Sequence, residues 1–291
     1  MVRALGVCHL TFLLLFIGQS KGQIGAESRR QASEYGEKTA IIVLHGLGVR
    51  ATTACKWLVH PALGLSSSMN VVRCPSGPTK STWIFPPTMI PGAGAFIASW
   101  FDFWMMPAMS VLSPKPGESK SDLEEALATI EGIIEELMYE GIPSENIVLS
   151  GASQGGVLTI YTALHSKYKL AGFIPIVTWV PLLKVEPPSS LPTPVNVNTH
   201  ILHLNGLFDP IVSTIAGSRS AAAMKKVFPN YELKNSVGTH MLTMGSHNIP
   251  TVRRWLKKNT NINFSRRDSM IGNIPSFGGF GGFGRKTQTS T

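Results

Sequence analysis

The stretch that decides the fold runs Ile147-Val148-Leu149-Ser150-Gly151-Ala152-Ser153-Gln154-Gly155-Gly156-Val157. Ile147 to Leu149 is a short apolar run that reads as a buried strand, and Gly155 to Ser166 reads as a helix, so Gly151-Ala152-Ser153-Gln154-Gly155 places a G-x-S-x-G pattern at a strand-to-helix junction. A serine there must adopt a sharp turn with strained dihedrals, and the flanking glycines let neighbouring backbone approach without a Cβ clash. The helix that follows turns its first amides toward the serine, where they favour developing negative charge. The bare pattern recurs by chance. With a strand before it and a helix after it, it makes Ser153 a candidate nucleophile.

A serine hydroxyl needs a base to take its proton and a carboxylate to orient that base. When the nucleophile sits on such a turn, the chain order is serine, then acid, then histidine. The chain has four aspartates, Asp102, Asp122, Asp209 and Asp268, and only Asp209 lies between Ser153 and the late histidines. It follows the apolar run His200 to Leu204, in the loop Asn205-Gly206-Leu207-Phe208-Asp209-Pro210. Glu186, in a Pro-rich loop, and Glu232, inside an expected strand, are weaker rivals. For the base, His240 lies just past the expected strand Glu232 to Val237, and His247 is the runner-up at the start of the last helix. His60, His165, His200 and His203 read as surface or packing residues.

The tetrahedral oxyanion also needs donors. One is expected from the backbone amide of Gln154, directly after the nucleophile. The other is expected from the glycine-rich loop His45-Gly46-Leu47-Gly48 that ends the first strand, Ala40 to Leu44, with Leu47 as the candidate amide. No metal or cofactor is expected. His200 and His203, three apart on a strand, point to opposite faces, and the chain has no Cys/His cluster at zinc spacing.

Around this centre the chain reads as alternating strands and helices. Asn70 to Arg73 is a second strand candidate, and Ser121-Asp122-Leu123-Glu124 resembles a capping box opening a helix that runs to Tyr139. Strand Ala171 to Trp179, helix Ile211 to Val227 and helix His247 to Lys258 complete the pattern. Such alternation implies an α/β fold with a mostly parallel central sheet and helices on both faces. With 291 residues, 43% of them hydrophobic and 15% charged, the chain can bury a substantial core, and wholly disordered, collagen-like and coiled-coil classes are excluded.

The net charge of +9 is unevenly placed: eight Lys and Arg against Asp268 alone, a surplus of +7, follow residue 252. The body is nearly neutral, which argues against nucleic acid as a partner. The basic tail, residues 259–291, ends in Gly and Phe repeats and reads as flexible, and it suggests contact with an anionic membrane surface. At the other end, Met1-Val2-Arg3, an apolar run from Ala4 to Ile17 and small residues near Ser20 and Gly22 read as a cleaved secretory signal over residues 1–22. The protein is therefore expected to be secreted or luminal. Cleavage removes Cys8 and leaves Cys55 and Cys74, which are expected to pair, Cys55 near the start of a helix and Cys74 at a strand's carboxyl end. Asn263-Phe264-Ser265 is the chain's one N-glycosylation sequon, expected at the surface.

Leu44-His45-Gly46-Leu47-Gly48, Ser99-Trp100-Phe101-Asp102, Gly151-Ala152-Ser153-Gln154-Gly155-Gly156, Asp209-Pro210 and the Gly238 to His240 loop occur in an order and rough spacing that resemble the acyl-protein thioesterase/lysophospholipase family of carboxylesterases. Tyr161 to Leu164 and Lys169 to Gly172 add to the likeness, which covers residues 39–258. The resemblance implies an α/β-hydrolase that cleaves thioesters or oxygen esters of long acyl chains, in lipids or acylated proteins, through an acyl-enzyme and without a cofactor. Three departures bear on substrate preference: Val49 where the family has an aspartate, Asn205 in place of a histidine, and Ala152 in place of a bulkier residue. The expected signal segment is a further departure, since the best-known relatives act on cytosolic palmitoylated proteins. Compared with the family, the region from Trp83 to Leu112 is longer and apolar, and Trp83, Phe85, Trp100, Phe103, Trp104 and Met105 are expected to form a lid and acyl channel. The alternatives are a general carboxylesterase and a catalytically inactive lipid-binding protein on the same scaffold.

Overall fold

The structure is a computed structural model and describes residues 37–58, 60–77, 79–80, 97–101, 118–183 and 186–265. The expected signal segment, the tail beyond Ser265 and the lid residues Trp83, Phe85, Phe103, Trp104 and Met105 lie outside the described residues.

Six strands pair side by side in parallel: β1 (Thr39–Leu44), β2 (Asn70–Arg73), β5 (Ile147–Ala152), β6 (Gly172–Ile176), β7 (His200–Gly206) and β8 (Tyr231–Ser236), in the spatial order β2-β1-β5-β6-β7-β8. A separate antiparallel pair joins β3 (Thr79–Lys80) to β4 (Ile97–Ala98). The chain order reverses direction between β1 and β5, and a crevice opens at the carboxyl ends of strands at such a switch point. Both the loop after β1 and the turn after β5 stand there.

Side-chain alternation along the strands builds two cores, one on each face. Ile42, Leu44, Leu149 and Phe173 pack with α2 (Lys120–Tyr139), α3 (Gln154–His165) and α4 (Thr214–Met224). Ile41, Val43, Val148 and Ile174 pack instead with α1 (Ala51–Leu58) and, through Trp255 and Leu256, with α6 (Ile249–Asn259). Helices therefore cover both faces, and the central strands β1, β5 and β6 are buried along their whole length. Such strands read as continuous apolar runs rather than alternating ones.

Several boundaries differ from the sequence expectation for local reasons. α2 is capped by Ser119, whose hydroxyl accepts the Asp122 amide, and not by Ser121. Both serines precede an acid at the right spacing, and capping at the earlier one lengthens the helix by two residues. β6 stops at Ile176, because Val177 turns into the left-handed region, at φ 45°. α4 starts at Thr214, where Ser213 caps it by accepting the Ala216 amide. His240 opens a short helix, α5 (His240–Met244), and so lies in regular structure, not in an irregular loop.

The folded body also continues past Lys258. Phe264 bridges to Leu65, the Ser265 amide donates to the Gly64 carbonyl, and the Asn70 side chain bonds both the carbonyl and the amide of Asn263. Residues 260–265 are therefore part of the packed unit and not of a flexible tail. Asn263 is half-buried, and its Nδ2, the atom a glycan would modify, donates to the Glu37 carbonyl at 3.0 Å. The sequon asparagine holds the segment down, and a glycan on it would compete with that bond. Cys55 and Cys74 are joined by a disulfide, with Cα atoms 5.8 Å apart, linking α1 to the residue directly after β2. Cys55 sits one turn inside α1 and not at its start.

Candidate active site

Ser153 caps α3 with φ 53° and ψ −116°, a positive φ that a side-chain-bearing residue adopts only when its surroundings enforce it. The enforcement is visible on both sides of the turn. Its amide donates to the Ile176 carbonyl at the end of β6, at 2.9 Å, and its carbonyl accepts the Thr178 hydroxyl at 2.8 Å. Gly155 lies against β1 so closely that a Cβ there would stand 2.5 Å from the Leu44 carbonyl oxygen. This is why the second glycine of the pattern admits no side chain.

Asp209 and His240 come together from neighbouring strand ends. Asp209 follows β7 and is 7% exposed; His240 follows β8 and is 6% exposed. His240 Nδ1 lies 2.6 Å from Asp209 Oδ2, while Asp209 Oδ1 accepts the amides of Ile211 and Val212 at 2.8 and 2.9 Å. With Nδ1–H given to the carboxylate, the neutral ring keeps its acceptor lone pair on Nε2. Since β5 to β8 are adjacent and parallel, Ser153, Asp209 and His240 emerge from the same edge of the sheet. His247 is exposed and bonds Ser236 instead, at 2.6 Å. Glu232 is exposed and pairs with Lys234, and Glu186 pairs with Lys120, so neither rival carboxylate orients a histidine.

The loop after β1 folds over the nucleophile. A Cβ at Gly46 would lie 3.4 Å from Ser153 Cβ, so the Gly46–Leu47 peptide stands beside the serine. Gln154 is the first residue of α3, where an amide has no partner within the helix. The Gly46 loop and the start of α3 thus meet at the serine from two different segments.

Trp100 departs from the expectation of a channel wall. It is completely buried; its backbone amide donates to Gln154 Oε1 at 3.0 Å and its indole N–H to the His45 carbonyl at 3.0 Å. It belongs to the packed floor of the site, because all of its donors are engaged by backbone or buried side-chain acceptors. The sequence reading also missed Thr178 and the side chain of Gln154, since no motif marks either one. His203, taken as packing, is such a residue: it is fully buried, bonded to the Tyr231 hydroxyl at 2.7 Å, and burial pushes its pKa down to about 4. Among the described residues no group of three or more His, Cys, Asp or Glu is placed to hold a metal ion.

The sequence family model described as phospholipase/carboxylesterase matches residues 28–257. The chain belongs to this family. Members of it with curated names include an acyl-protein thioesterase 1 homologue from Dictyostelium discoideum, 38% identical over 114 residues, 39% of this chain and 50% of that protein. Acyl-protein thioesterase 1 from Cryptococcus neoformans is 34% identical over 147 residues, 49% of this chain and 55% of that one. These alignments thus span about half the length of the relatives. Among solved structures, Arabidopsis thaliana SOBER1 is similar over 76% of this chain and 99% of its own, with 27% identity and a TM-score of 0.62. The fold alone is shared with Zea mays acyl-protein thioesterase 2, at 19% identity, a TM-score of 0.55, and 77% and 94% coverage. The family's α/β-hydrolase fold is the one described above.

Proposed function

We propose that the protein is a serine hydrolase that cleaves long-chain acyl thioesters or esters, in acylated proteins or lysophospholipids, through an acyl-enzyme. The observation that carries the reading is the buried His240–Asp209 bond at the same sheet edge as the strained Ser153 turn. In this mechanism Ser153 Oγ attacks the acyl carbonyl while His240 Nε2 takes its proton, and Asp209 orients the ring and stabilises its cationic form. The amides of Leu47 and Gln154 receive the oxyanion. His240 then protonates the departing thiol or alcohol, and a water activated by the same nitrogen releases the acid.

Support for an apolar acyl group comes from the rim. Phe208, Val237, Met241 and Leu242 are exposed, and all lie within three residues of Asp209 or His240. A rim of this kind favours a hydrocarbon chain at the mouth of the site. The disulfide supports an oxidising compartment, in keeping with residues 1–22 acting as a secretory signal. The basic residues after position 252 would draw the protein to anionic membrane surfaces.

The test is a fluorophosphonate probe followed by a hydrolysis panel of palmitoyl thioester, lysophosphatidylcholine and a short nitrophenyl ester. Wild type should label and Ser153→Ala should not, with the long-chain substrates preferred. Labelling that survives the substitution would overturn Ser153 as nucleophile. A preference for the short ester would favour a general carboxylesterase, and labelling absent from wild type would favour the inactive lipid-binding alternative.

A further inference from the structure

The amides of Leu47 and Gln154 belong to segments more than a hundred residues apart in sequence, the loop after β1 and the start of α3. Both must point at one oxygen, and a small shift of either lengthens a hydrogen bond whose strength depends steeply on distance and angle. The side chains beneath them form one connected, buried set. Gln154, 1% exposed, donates through Nε2 to the Ser99 hydroxyl at 2.9 Å and to the Phe101 carbonyl at 2.7 Å, and through Oε1 it accepts the Trp100 amide. The Trp100 indole N–H reaches the His45 carbonyl, and its ring stacks on the His45 imidazole with centroids 4.9 Å apart. The indole also lies against residue 77, a glycine, where a Cβ would stand 2.8 Å from the ring.

His45 passes this constraint to the Leu47 amide. Its Nδ1 lies 2.8 Å from the Gly46 carbonyl oxygen, which also accepts the Val49 amide at 3.1 Å. That carbonyl shares a peptide plane with the Leu47 N–H, and in a trans peptide the two point in opposite directions, so fixing one aims the other. The second ring nitrogen, Nε2, lies 2.6 Å from the Ser76 carbonyl oxygen, and since a neutral imidazole carries a single N–H, the ring holds the Gly46 carbonyl in its Nδ1–H tautomer.

We propose that Trp100 is a positioning residue for the oxyanion site: clamped by the Gln154 side chain and clamping His45 in turn, it locks the segment carrying the Leu47 amide to the one carrying the Gln154 amide. The proposal rests on the serine hydrolase reading above. It assigns to Trp100 a role in transition-state geometry and none in acyl-chain binding.

Trp100→Phe keeps a stacked ring and removes the indole N–H. Gln154→Met keeps side-chain length and the backbone amide and removes the hydrogen bonds to residues 99–101. The full chain is assayed for kcat and KM on a nitrophenyl ester and for affinity toward a trifluoromethyl ketone of the same acyl length, which adds to the serine as a charged tetrahedral adduct. Each variant should lose about 10- to 100-fold in kcat with KM within about threefold, and ketone affinity should fall in parallel, since only the tetrahedral state uses both amides. A raised KM with kcat intact would make Trp100 a channel wall and overturn the proposal. So would a lowered melting temperature with kcat and ketone affinity unchanged. If Trp100→Phe does not fold, the same readouts on Gln154→Met decide. Wild type that fails to label with fluorophosphonate removes the hydrolase reading itself, whereas active wild type with equally active variants removes this proposal alone.

Discussion

Asp209 divides its two carboxylate oxygens between two tasks: Oδ1 takes the amides of Ile211 and Val212, and Oδ2 takes Nδ1 of His240. The backbone turn thereby fixes the carboxylate, and the histidine takes its orientation from it. Asp209→Asn should keep the turn but present an amide where an acceptor is needed, and so favour the wrong tautomer of His240. Turnover should fall by about 10³-fold or more for Asp209→Asn and for His240→Ala, with His247→Ala near wild type. Measured kcat/KM across the three variants checks this, and a crippled His247→Ala beside a mild His240→Ala would show that the base is His247.

Gly155→Ala tests the contact between the nucleophile turn and β1. A Cβ at 2.5 Å from the Leu44 carbonyl and 2.6 Å from the His45 carbonyl forces backbone apart, where no side chain can yield. The variant should lose about 2 kcal/mol or more of stability, and label slowly with fluorophosphonate even at temperatures where circular dichroism shows it folded. Wild-type labelling kinetics would mean that the turn relaxes without moving Ser153.

His203 gives the fold a defined pH dependence. Burial lowers its pKa from 6.5 to about 4, so between those values the unfolded chain binds a proton that the folded chain does not. Its contribution is thus complete above pH 6.5 and is lost as pH falls toward 4, by up to about 3 kcal/mol. Melting temperature measured from pH 7 to 4 should decline, and His203→Gln, which retains a partner for the Tyr231 hydroxyl, should flatten the decline. Identical slopes would place the acid sensitivity elsewhere.

Reduction of Cys55–Cys74 should lower stability by about 3 kcal/mol, the loop-closure value for a crosslink of this span, 19 residues. Comparing denaturant midpoints with and without reductant, and for Cys55→Ser/Cys74→Ser, checks it. Equal midpoints for the oxidised protein and the double variant would mean that the crosslink adds nothing to the folded state.

Local chemistry accounts for most of what the sequence revealed. Ser153 between a buried strand and a helix, Asp209 after β7 and His240 after β8 are each recognisable from a few neighbouring residues, because strand, turn and helix signals are short-range and the parallel alternation orders the strand ends. The two cores follow from the same source, since continuous apolar runs such as Ala40 to Leu44 and Ile147 to Leu149 require burial on both faces. Trp100 reads equally well as a channel wall or as floor from composition alone. What places it in the floor is a set of partners at positions 45, 77 and 154, distant in the chain and chosen by packing. The return of residues 260–265 onto Gly64, Leu65 and Asn70 has the same origin. Each is a choice among locally acceptable conformations, and it is settled by long-range contacts whose energy exceeds the small local preference.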